Sequence, residues 1–318
     1  MEFVKDLVSI VIPCYGSEKT LKGVIDELVS LFAQQSRFDY EIIAVNDASP
    51  DKVYDVIQEC AKQNPKVKGI DLAINRGKHC AILVGYAHVS GEFVVNLDDD
   101  GQCPADRIWD LLKPLDEGYD MAMAKYAQKK ESFMKKFGSS VNDRISRSLL
   151  NKPKGMRFTN FIARKRFVTD AMKNYKMPYA YLEGLSLCTT RNVKMVDMEE
   201  RSRAAGRSGY TFAKSFKLWM NGYTSFSAKP LRVSTFAGLF LVLAGVGIMI
   251  LDLIFCLAKY STDLQFLLLL GVIFFLFGIV LLALGMLGEY VGRIFVAQNT
   301  ANQYIIRDKC NLEDDSHS

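Results

Sequence analysis

The sequence is poor in the residues that build zinc sites, disulfide frameworks and histidine-based catalytic centres. Its seven cysteines are scattered over 318 residues, and no two of them have the CxxC spacing. This pattern argues against a disulfide framework and a zinc site, and a reducing compartment fits the chain best. The three histidines, His79, His88 and His317, have no catalytic constellation around them in the sequence, so we interpret them as structural or incidental.

The chain also lacks internal repeats, low-complexity tracts and a secretory signal at its start. The first apolar run, residues 7–13, is too short for a signal and has the composition of a strand. Residues 1 to about 230 have the composition of a soluble α/β protein, whereas most of the chain after them is apolar. Because nothing directs the first part into the secretory route, we expect it to stay in the cytosol.

Short runs rich in β-branched residues alternate with segments that have apolar residues at helical spacing. Strands are predicted at 7–13, 40–45, 67–72 and 92–97, and helices at 18–32, 52–63 and 78–88. Alternation in units of this size predicts a parallel, doubly wound α/β sheet. Ligands of such sheets bind beyond the carboxyl ends of the strands, which is where Asp47, Arg76 and Asp98 lie.

Three consecutive carboxylates follow the fourth predicted strand, in the stretch NLDDDGQCP. Asp98 and Asp100 have the i, i+2 spacing with which two carboxylates can hold Mg²⁺ or Mn²⁺ against the phosphates of a nucleotide. Asp99 would point the other way, toward a donor substrate or toward solvent. A solvated acidic turn has the same composition, so the motif alone leaves both interpretations open.

Basic residues are concentrated in the middle of the chain. Between positions 125 and 166 there are thirteen lysines and arginines and only two acids. Such an excess indicates an anionic partner, and nucleic acid, a phosphorylated substrate and an anionic membrane surface are the candidates. A second cluster, Arg201, Arg203 and Arg207, lies among glycines, and arginine suits bidentate contact with phosphate.

Two apolar stretches, residues 233–257 and 264–287, are each long enough to cross a bilayer, which needs about 20 residues. The polar connection 259–263 is short, so a helical hairpin is predicted. Lysine and arginine flank the hairpin on both sides, and the positive-inside rule places both of its ends in the cytosol. The spans favour the membrane and a phosphorylated lipid, and not nucleic acid, as partners of the basic residues.

Aromatic residues in the stretch 210–226 recur at spacings of three and four positions. This spacing is typical of a helix that lies in the membrane interface, and an ordinary core helix has a similar periodicity. Because the stretch directly precedes the first predicted span, we favour the interfacial helix. It would hold the preceding domain beside the lipid headgroups.

Several separated segments, in this order, resemble the inverting family 2 glycosyltransferases of GT-A fold, and among them the polyprenyl-phosphate glycosyltransferases. The segments are SIVIPCYGSEKTL, EIIAVNDASPD, NRGKHCAILVGYAHVSGEFVVNLDDDGQCP, RSRAAGRSGYT, SFSAKPLR and GMLGEYVGRIF. With the spans, the resemblance predicts four parts: a cytosolic GT-A domain (1–208), an interfacial helix region (209–231), a transmembrane hairpin (232–290) and a cytosolic tail (291–318). It implies a multi-pass enzyme of the bacterial cytoplasmic membrane.

The resemblance also implies roles for individual residues in donor binding. Asp98, Asp100 and Gln102 correspond to the group that holds Mg²⁺ or Mn²⁺ and the diphosphate. The positions that correspond to the nucleotide pocket are Pro13, Tyr15, Asp47, Arg76, Gly77, Lys78 and Asp99. For Asp47 an Asx-turn or a helix cap is the alternative, and Arg76 and Lys78 could equally be surface charges. The family has an acid where this chain has Cys103.

The acceptor side of the site is implied in the same way. The positions expected to contact the acceptor phosphate are Arg201, Arg203, Arg207, Lys129 and Lys135. Where this chain has Gly209 the family has a lysine, whose charge Arg203 or Arg207 would replace. We therefore count these two arginines, with Asp98 and Asp100, as candidate catalytic residues.

The reaction implied is the transfer of one sugar from a nucleotide sugar, a UDP-hexose or a UDP-N-acetylhexosamine, to polyprenyl (undecaprenyl) phosphate with inversion. The acceptor is already ionised, so it needs positioning and charge screening more than a strong base. A homo-oligomer such as a tetramer is implied as well. Two rival functions stay open: a processive polysaccharide synthase, although its usual QxxRW motif is absent from the sequence, and a membrane-anchored nucleotide sensor without catalysis.

Overall fold

The computed structural model describes residues 6–126, 156, 159–175, 182–199, 201, 247, 263–299 and 304–312. The chain divides into two compact units. The first is formed by Met1–Ser225 together with Asn302–Ser318, and the second by Phe226–Ala301. The predicted boundaries near 208 and 231 lie outside the described residues.

The described part of the first unit contains eight strands and six α-helices. The strands are β1 (Asp6–Cys14), β2 (Phe38–Asn46), β3 (Val67–Leu72), β4 (Phe93–Asn96), β5 (Met121–Tyr126), β6 (Ile162–Lys165), β7 (Val193–Met198) and β8 (Ile306–Cys310). The helices are α1 (Leu21–Ala33), α2 (Val53–Gln63), α3 (Lys78–Ala87), α4 (Ile108–Asp116), α5 (Arg166–Lys173) and α6 (Leu182–Thr189), and a 3-10 turn at Ala105–Arg107 precedes α4.

All eight strands belong to one mixed sheet with the order β7-β5-β6-β4-β1-β2-β3-β8. The four strands that the sequence predicts pair in parallel, β1 with β2 and β4, and β2 with β3. The strands β6 and β8 run antiparallel to their neighbours. The predicted doubly wound α/β sheet is therefore confirmed.

Helices cover both faces of the sheet because side chains alternate along each strand. In β1, Ile10 and Ile12 pack in the core that includes α1, α2 and α4. Val11, between them, packs in the opposite core with α3, α5 and α6. The residue Gly85 of α3 lets this helix lie close to β1, since a Cβ there would stand 2.4 Å from Cγ1 of Val11.

The parallel strands end at the same edge of the sheet. Cys14 of β1 is level with Asn46 of β2, and Asn46 is level with Asp71 of β3. On the other side of β1, Asn96 of β4 is level with Val11. The loops that follow β1, β2, β3 and β4 therefore meet at one edge, as expected for the binding face of such a sheet.

The buried carboxylate of Glu41 joins three strands near their opposite ends, away from these loops. Its Oε1 accepts hydrogen bonds from Oγ of Ser9 and from the backbone N–H of Ser90, each at 2.5 Å. Nζ of Lys68 lies 2.5 Å from the second oxygen. Burial disfavours the charged carboxylate, but these donors together hold the pKa of Glu41 below its usual value.

The strand β8 occupies a position that the sequence prediction assigned to the tail. It pairs antiparallel with β3, and its Asp308 accepts hydrogen bonds from Tyr54 and Gln58 of α2, at 3.1 and 3.2 Å. The residue that follows β8, Asn311, donates to the carbonyl oxygen of Ala61 at 2.7 Å. The short sequence IRDKC has only one β-branched residue, so its pattern did not predict a strand.

Part of the basic segment belongs to the folded unit and finds acidic partners there. Lys125 of β5 lies 2.8 Å from Asp197 of β7, and Arg166 lies 3.5 Å from Asp170 within α5. The count between positions 125 and 166 missed these acids, because Asp197 lies on another strand and Asp170 lies one helical turn beyond the counted segment. At Lys125 and Arg166, the positive charge available to an anionic partner is therefore smaller than the sequence predicts.

A buried arginine accounts for another charge of the basic segment. Arg164 of β6 is 1% exposed. Its guanidinium donates to Oδ1 of Asn96 at 2.6 Å, to the Tyr86 hydroxyl at 2.7 Å and to Oγ of Ser186 at 3.2 Å. This network ties the end of β4 to α3 and α6, so Arg164 has a structural role and does not reach an external anion.

The second unit contains the helix α7 (Asp263–Asn299), 37 residues long. It includes the predicted span 264–287 and continues past position 290, where the sequence prediction places the start of the tail. By length and composition, Phe275–Gly292 is able to cross a membrane. The interfacial stretch 210–226 and the first predicted span, apart from Gly247, lie outside the described residues, so the hairpin stays a prediction.

Candidate active site

The carboxylate of Asp47, directly after β2, holds the loop that precedes α3. Its two oxygens accept hydrogen bonds from the backbone N–H groups of Arg76 and Gly77, both at 2.7 Å. Gly77 has φ of +88°, a conformation that favours glycine. Burial raises the pKa of Asp47, and the two N–H donors and the Arg76 charge oppose this rise.

The side chain of Asp47 does not form the local turn that the sequence leaves open as an alternative. The neighbouring Asn46 makes the local contact, since its Oδ1 accepts from the backbone N–H of Ser49 at 3.1 Å. Asp47 instead bridges two loops that are distant in sequence. Its contact with a nucleotide stays a prediction, and the structure places it with Arg76 and Gly77 as the sequence analysis expects.

The side chain of Asp99 turns toward the end of β1. Its Oδ2 accepts a hydrogen bond from the backbone N–H of Tyr15 at 3.0 Å, and its carbonyl oxygen accepts one from Thr20 at 2.7 Å. Burial raises the pKa of Asp99, and the charge of Asp98 adds to the rise. Asp99 thus fixes the 15–20 loop, at whose start the Tyr15 ring is 56% exposed, whereas Pro13 is buried within β1.

The carboxylate of Asp98 is held by two side chains from other elements. Nζ of Lys78, at the start of α3, lies 2.5 Å from Oδ1. Nδ2 of Asn160, which the sequence analysis missed, donates to Oδ2 at 3.1 Å. Burial disfavours the charged ammonium, but the Asp98 carboxylate outweighs it and raises the pKa of Lys78. Lys78 therefore contacts the carboxylate loop and is not a simple surface charge, whereas its contact with a nucleotide stays a prediction.

The rest of the carboxylate loop folds back on itself. Oδ1 of Asp100 accepts from the backbone N–H of Gln102 at 3.1 Å, across Gly101. Among the residues that the structure describes, no three His, Cys, Asp or Glu side chains form a metal cluster. The carboxylates of Asp98 and Asp100 and the amide oxygen of Gln102 are nevertheless the hard oxygen ligands that Mg²⁺ and Mn²⁺ accept. One cation, the Lys78 ammonium, already contacts the Asp98 carboxylate. The residues therefore fit a divalent cation that substrate phosphates help to hold.

At Cys103, where the resemblance implies an acid, this chain has a neutral group. Its side chain is 5% exposed. Burial, together with the charge of Asp98, raises the pKa of the Cys103 thiol to about 12. The thiol therefore adds no negative charge beside the carboxylate loop near neutral pH.

Arg201, predicted to contact the acceptor phosphate, is engaged in ion pairs within the protein. One guanidinium nitrogen lies 2.9 and 3.1 Å from the two carboxylate oxygens of Glu27, and another contacts Asp106. Its backbone N–H donates to the carbonyl oxygen of Gln102 at 3.1 Å. The structure thus gives Arg201 a part in fixing the carboxylate loop. The other predicted acceptor contacts, Arg203, Arg207, Lys129 and Lys135, lie outside the described residues.

An open cavity of about 490 Å³ lies next to Arg201. Charged side chains of both signs line it, among them Arg107, Lys125 and Glu199. It adjoins the carboxylate loop through Pro104, which directly follows Cys103 in the sequence.

Two further residues that the sequence analysis missed hold the loops in place. The hydroxyl of Ser49 accepts from the N–H of Gly16 at 2.8 Å and donates to Asp51 at 2.5 Å. Asp51 also accepts from the N–H of Glu18 at 2.9 Å. Ser49 and Asp51 belong to the turn-forming sequence after Asp47. Such a sequence indicates a local turn, and it does not predict hydrogen bonds to another loop.

The mixed sheet, with its polar loops at one edge, defines a protein of GT-A-like α/β fold. Residues 9–173 match the glycosyl transferase family 2 domain. The chain is also 30% identical over 310 residues to the uncharacterized glycosyltransferase YkcC of Bacillus subtilis strain 168, covering 96% of this chain and 94% of that one. The chain therefore belongs to glycosyl transferase family 2 and is a glycosyltransferase.

Two other comparisons agree with this assignment. The chain is 29% identical over 306 residues to undecaprenyl-phosphate 4-deoxy-4-formamido-L-arabinose transferase of Photorhabdus laumondii, covering 94% and 93% of the two chains. Its fold is similar to the crystal structure of mannosyl-3-phosphoglycerate synthase from Rubrobacter xylanophilus, with a TM-score of 0.51 and 16% identity over 71% of this chain and 74% of that one. The second likeness concerns the fold alone.

Replacement of Asp47 by alanine is expected to weaken the binding of a nucleotide sugar. It leaves the N–H groups of Arg76 and Gly77 without their acceptor, at a cost of about 1–3 kcal/mol. The dissociation constant of the donor, measured by calorimetry, should rise about tenfold to a hundredfold. Asp55→Ala, on the exposed face of α2, is the control and should leave it unchanged. Equal donor affinity in both variants would remove Asp47 from the nucleotide site.

Proposed function

We propose that the chain is a membrane-bound inverting glycosyltransferase that moves one sugar from a nucleotide sugar to polyprenyl phosphate on the cytosolic face of a bacterial membrane. The observation that carries the proposal is the meeting of Asp47, Lys78 and Asp98–Asp100 at one sheet edge. The near full-length similarity to an undecaprenyl-phosphate sugar transferase supports the choice of acceptor.

The donor site follows from the loops at the sheet edge. Asp98 and Asp100, with Gln102, would hold Mg²⁺ or Mn²⁺. When bound, this cation supplies positive charge that stabilises the departing nucleoside diphosphate. The exposed Tyr15 ring offers a face for the base. We propose a UDP-hexose or a UDP-N-acetylhexosamine as the donor.

The acceptor is a lipid monophosphate, which is already ionised at neutral pH. The protein therefore has to position this anion and screen its charge from the donor diphosphate. Arg203 and Arg207, with Lys129 and Lys135, are the basic residues that we assign to this task. Nucleic acid is not a partner in this proposal.

The membrane arrangement that we propose is a hairpin with both ends in the cytosol. The apolar stretch of α7 supports one crossing. The strand β8 follows α7 and pairs with β3 of the catalytic sheet. A chain that leaves this unit and rejoins its sheet has to cross a bilayer an even number of times, which supports a second crossing at 233–257. A homo-oligomer such as a tetramer belongs to the same proposal.

Replacement of Arg203 or Arg207 by alanine should raise the KM for polyprenyl phosphate. Loss of a charge-assisted contact with phosphate costs roughly 1.5–3 kcal/mol, which corresponds to about a tenfold to hundredfold change. The dissociation constant of the nucleotide sugar should stay within about twofold. Arg191→Ala, at an exposed position, is the control. Equal losses for both substrates would indicate damage to the scaffold, and no loss would move the acceptor site to Lys129 and Lys135.

The proposal is tested by supplying the purified full chain with labelled UDP-sugars and two acceptors, undecaprenyl phosphate and 3-phosphoglycerate. We expect label to enter the organic phase with the lipid acceptor only. Transfer to 3-phosphoglycerate would contradict the lipid acceptor. A labelled polymer would instead support a processive synthase, and donor binding without any transfer would support a nucleotide sensor.

A further inference from the structure

In this structure a lysine ammonium contacts Asp98, one of the carboxylates that we propose as ligands of the divalent cation. Nζ of Lys78 lies 2.5 Å from Oδ1, and Asn160 donates to Oδ2 at 3.1 Å. The same oxygens are those that a divalent cation would need, at about 2.0–2.1 Å for Mg²⁺. An ammonium and a divalent cation repel each other when both contact one carboxylate, so the two compete for Asp98.

The side chain of Lys78 can change partners while its backbone stays in place. Asp47 holds the N–H groups of Arg76 and Gly77, the two residues that precede it, and Lys78 begins the buried helix α3. Its side chain is 35% exposed and has a flexible four-carbon stem. The motion that remains is therefore a swing of the ammonium at the open edge of the sheet.

The other two carboxylates of the loop have different partners. Asp99 accepts from the N–H of Tyr15, and Asp100 accepts from the N–H of Gln102. These donors are neutral backbone groups, whereas Lys78 brings a full positive charge to Asp98. The direct ion pair with Lys78 therefore places the competition for a metal at Asp98.

We propose that Lys78 and the divalent cation exchange on Asp98: the ammonium neutralises this carboxylate while the donor is absent, and it moves to the diphosphate when metal and nucleotide bind. This inference rests on the proposed function. In this exchange Lys78 competes with the metal for Asp98 and also binds the nucleotide diphosphate. The metal alone should then bind weakly, and removal of the Lys78 charge should change the affinities for metal and nucleotide in opposite directions.

Binding measurements on the purified full chain test this exchange without any turnover. Mn²⁺ binding in the absence of nucleotide is followed by electron paramagnetic resonance, and UDP binding in the absence of metal by calorimetry. In Lys78→Met we expect Mn²⁺ affinity to rise about tenfold and UDP affinity to fall about tenfold, as for a charge-assisted contact. Lys22→Met, which removes an exposed lysine paired with Glu59, is the control and should change neither affinity.

A second variant separates charge from hydrogen bonding. Lys78→Gln keeps a neutral donor, so it should behave like Lys78→Met in both measurements if the ammonium charge is the competitor. Mn²⁺ affinity that is unchanged or lower in both folded variants overturns the inference, and so does a wild-type chain that binds neither Mn²⁺ nor UDP. Opposite shifts in a chain that transfers no sugar to lipid would support the exchange and refute the proposed acceptor.

Discussion

Replacement of either Asp98 or Asp100 by asparagine is expected to abolish sugar transfer and to leave the fold intact. An amide is a neutral and weaker ligand for a hard cation than a carboxylate, and both residues are the proposed ligands. Removal of a single group that stabilises developing negative charge typically costs about 10²–10³ in kcat. Initial rates of label transfer to the lipid acceptor measure the loss, and circular dichroism confirms the fold.

The two substitutions have a matched control on the same domain. Asp55→Asn removes an exposed carboxylate of α2 and should retain the wild-type rate. Chelation of divalent cations in the wild-type chain should reproduce the loss that the variants show. Full activity in either variant, or in excess chelator, would show that these carboxylates hold no essential metal.

The second large effect is expected on stability, at Glu41. Glu41→Ala removes the partner of the Lys68 ammonium, of the Ser9 hydroxyl and of the Ser90 N–H, all at a site where the carboxylate is 4% exposed. Breaking a buried pair in this way costs about 3–5 kcal/mol. Denaturant unfolding followed by circular dichroism should show this decrease in the free energy of unfolding.

A neighbouring ion pair, between β2 and the residue that precedes β3, provides the comparison. Asp39 of β2 pairs with Lys66, and both side chains are more than 40% exposed. Asp39→Ala should therefore cost only about 0–1 kcal/mol, as exposed ion pairs do. Similar losses of unfolding free energy for Asp39→Ala and Glu41→Ala would contradict the claim that burial makes the Glu41 contacts more stabilising.

The Glu41 contribution should also depend on pH in a defined direction. The folded state lowers the pKa of Glu41, so its stabilisation is fully present above the pKa of an unfolded glutamate, about 4.3. It is lost as the pH falls through the lower folded-state pKa. The difference in unfolding free energy between wild type and Glu41→Gln should therefore shrink on acidification below about pH 4.

The first half of the sheet could be predicted because its elements have strong local patterns. The strand predicted at 67–72 is β3 itself, and the helix predicted at 78–88 differs from α3 by one residue. Strands buried on both sides give continuous apolar runs, and the helices between them give a regular apolar face. The strands β6 and β8 are short and carry charges, so their place depends on pairing with distant strands.

The candidate site divides in the same way. Asp47, Asp98 and Asp100 could be selected because each follows a predicted strand, and such residues meet at one edge of a parallel sheet. The partners Asn160 and Glu27 could not, because their contacts with Asp98 and Arg201 join elements far apart in sequence. The ion pairs of Arg201 could not be predicted for the same reason. Its position among glycines suggests a contact with phosphate, whereas in the structure Glu27 and Asp106 pair with its guanidinium.

The central claim, transfer of a single sugar to polyprenyl phosphate with inversion, is tested most directly by the structure of the product. Purified full chain is incubated with a UDP-sugar, undecaprenyl phosphate and Mn²⁺, and the lipid product is analysed by mass spectrometry and NMR. We predict one sugar on the lipid phosphate, with an anomeric configuration opposite to that of the donor. More than one sugar per lipid, or a retained configuration, would contradict the account.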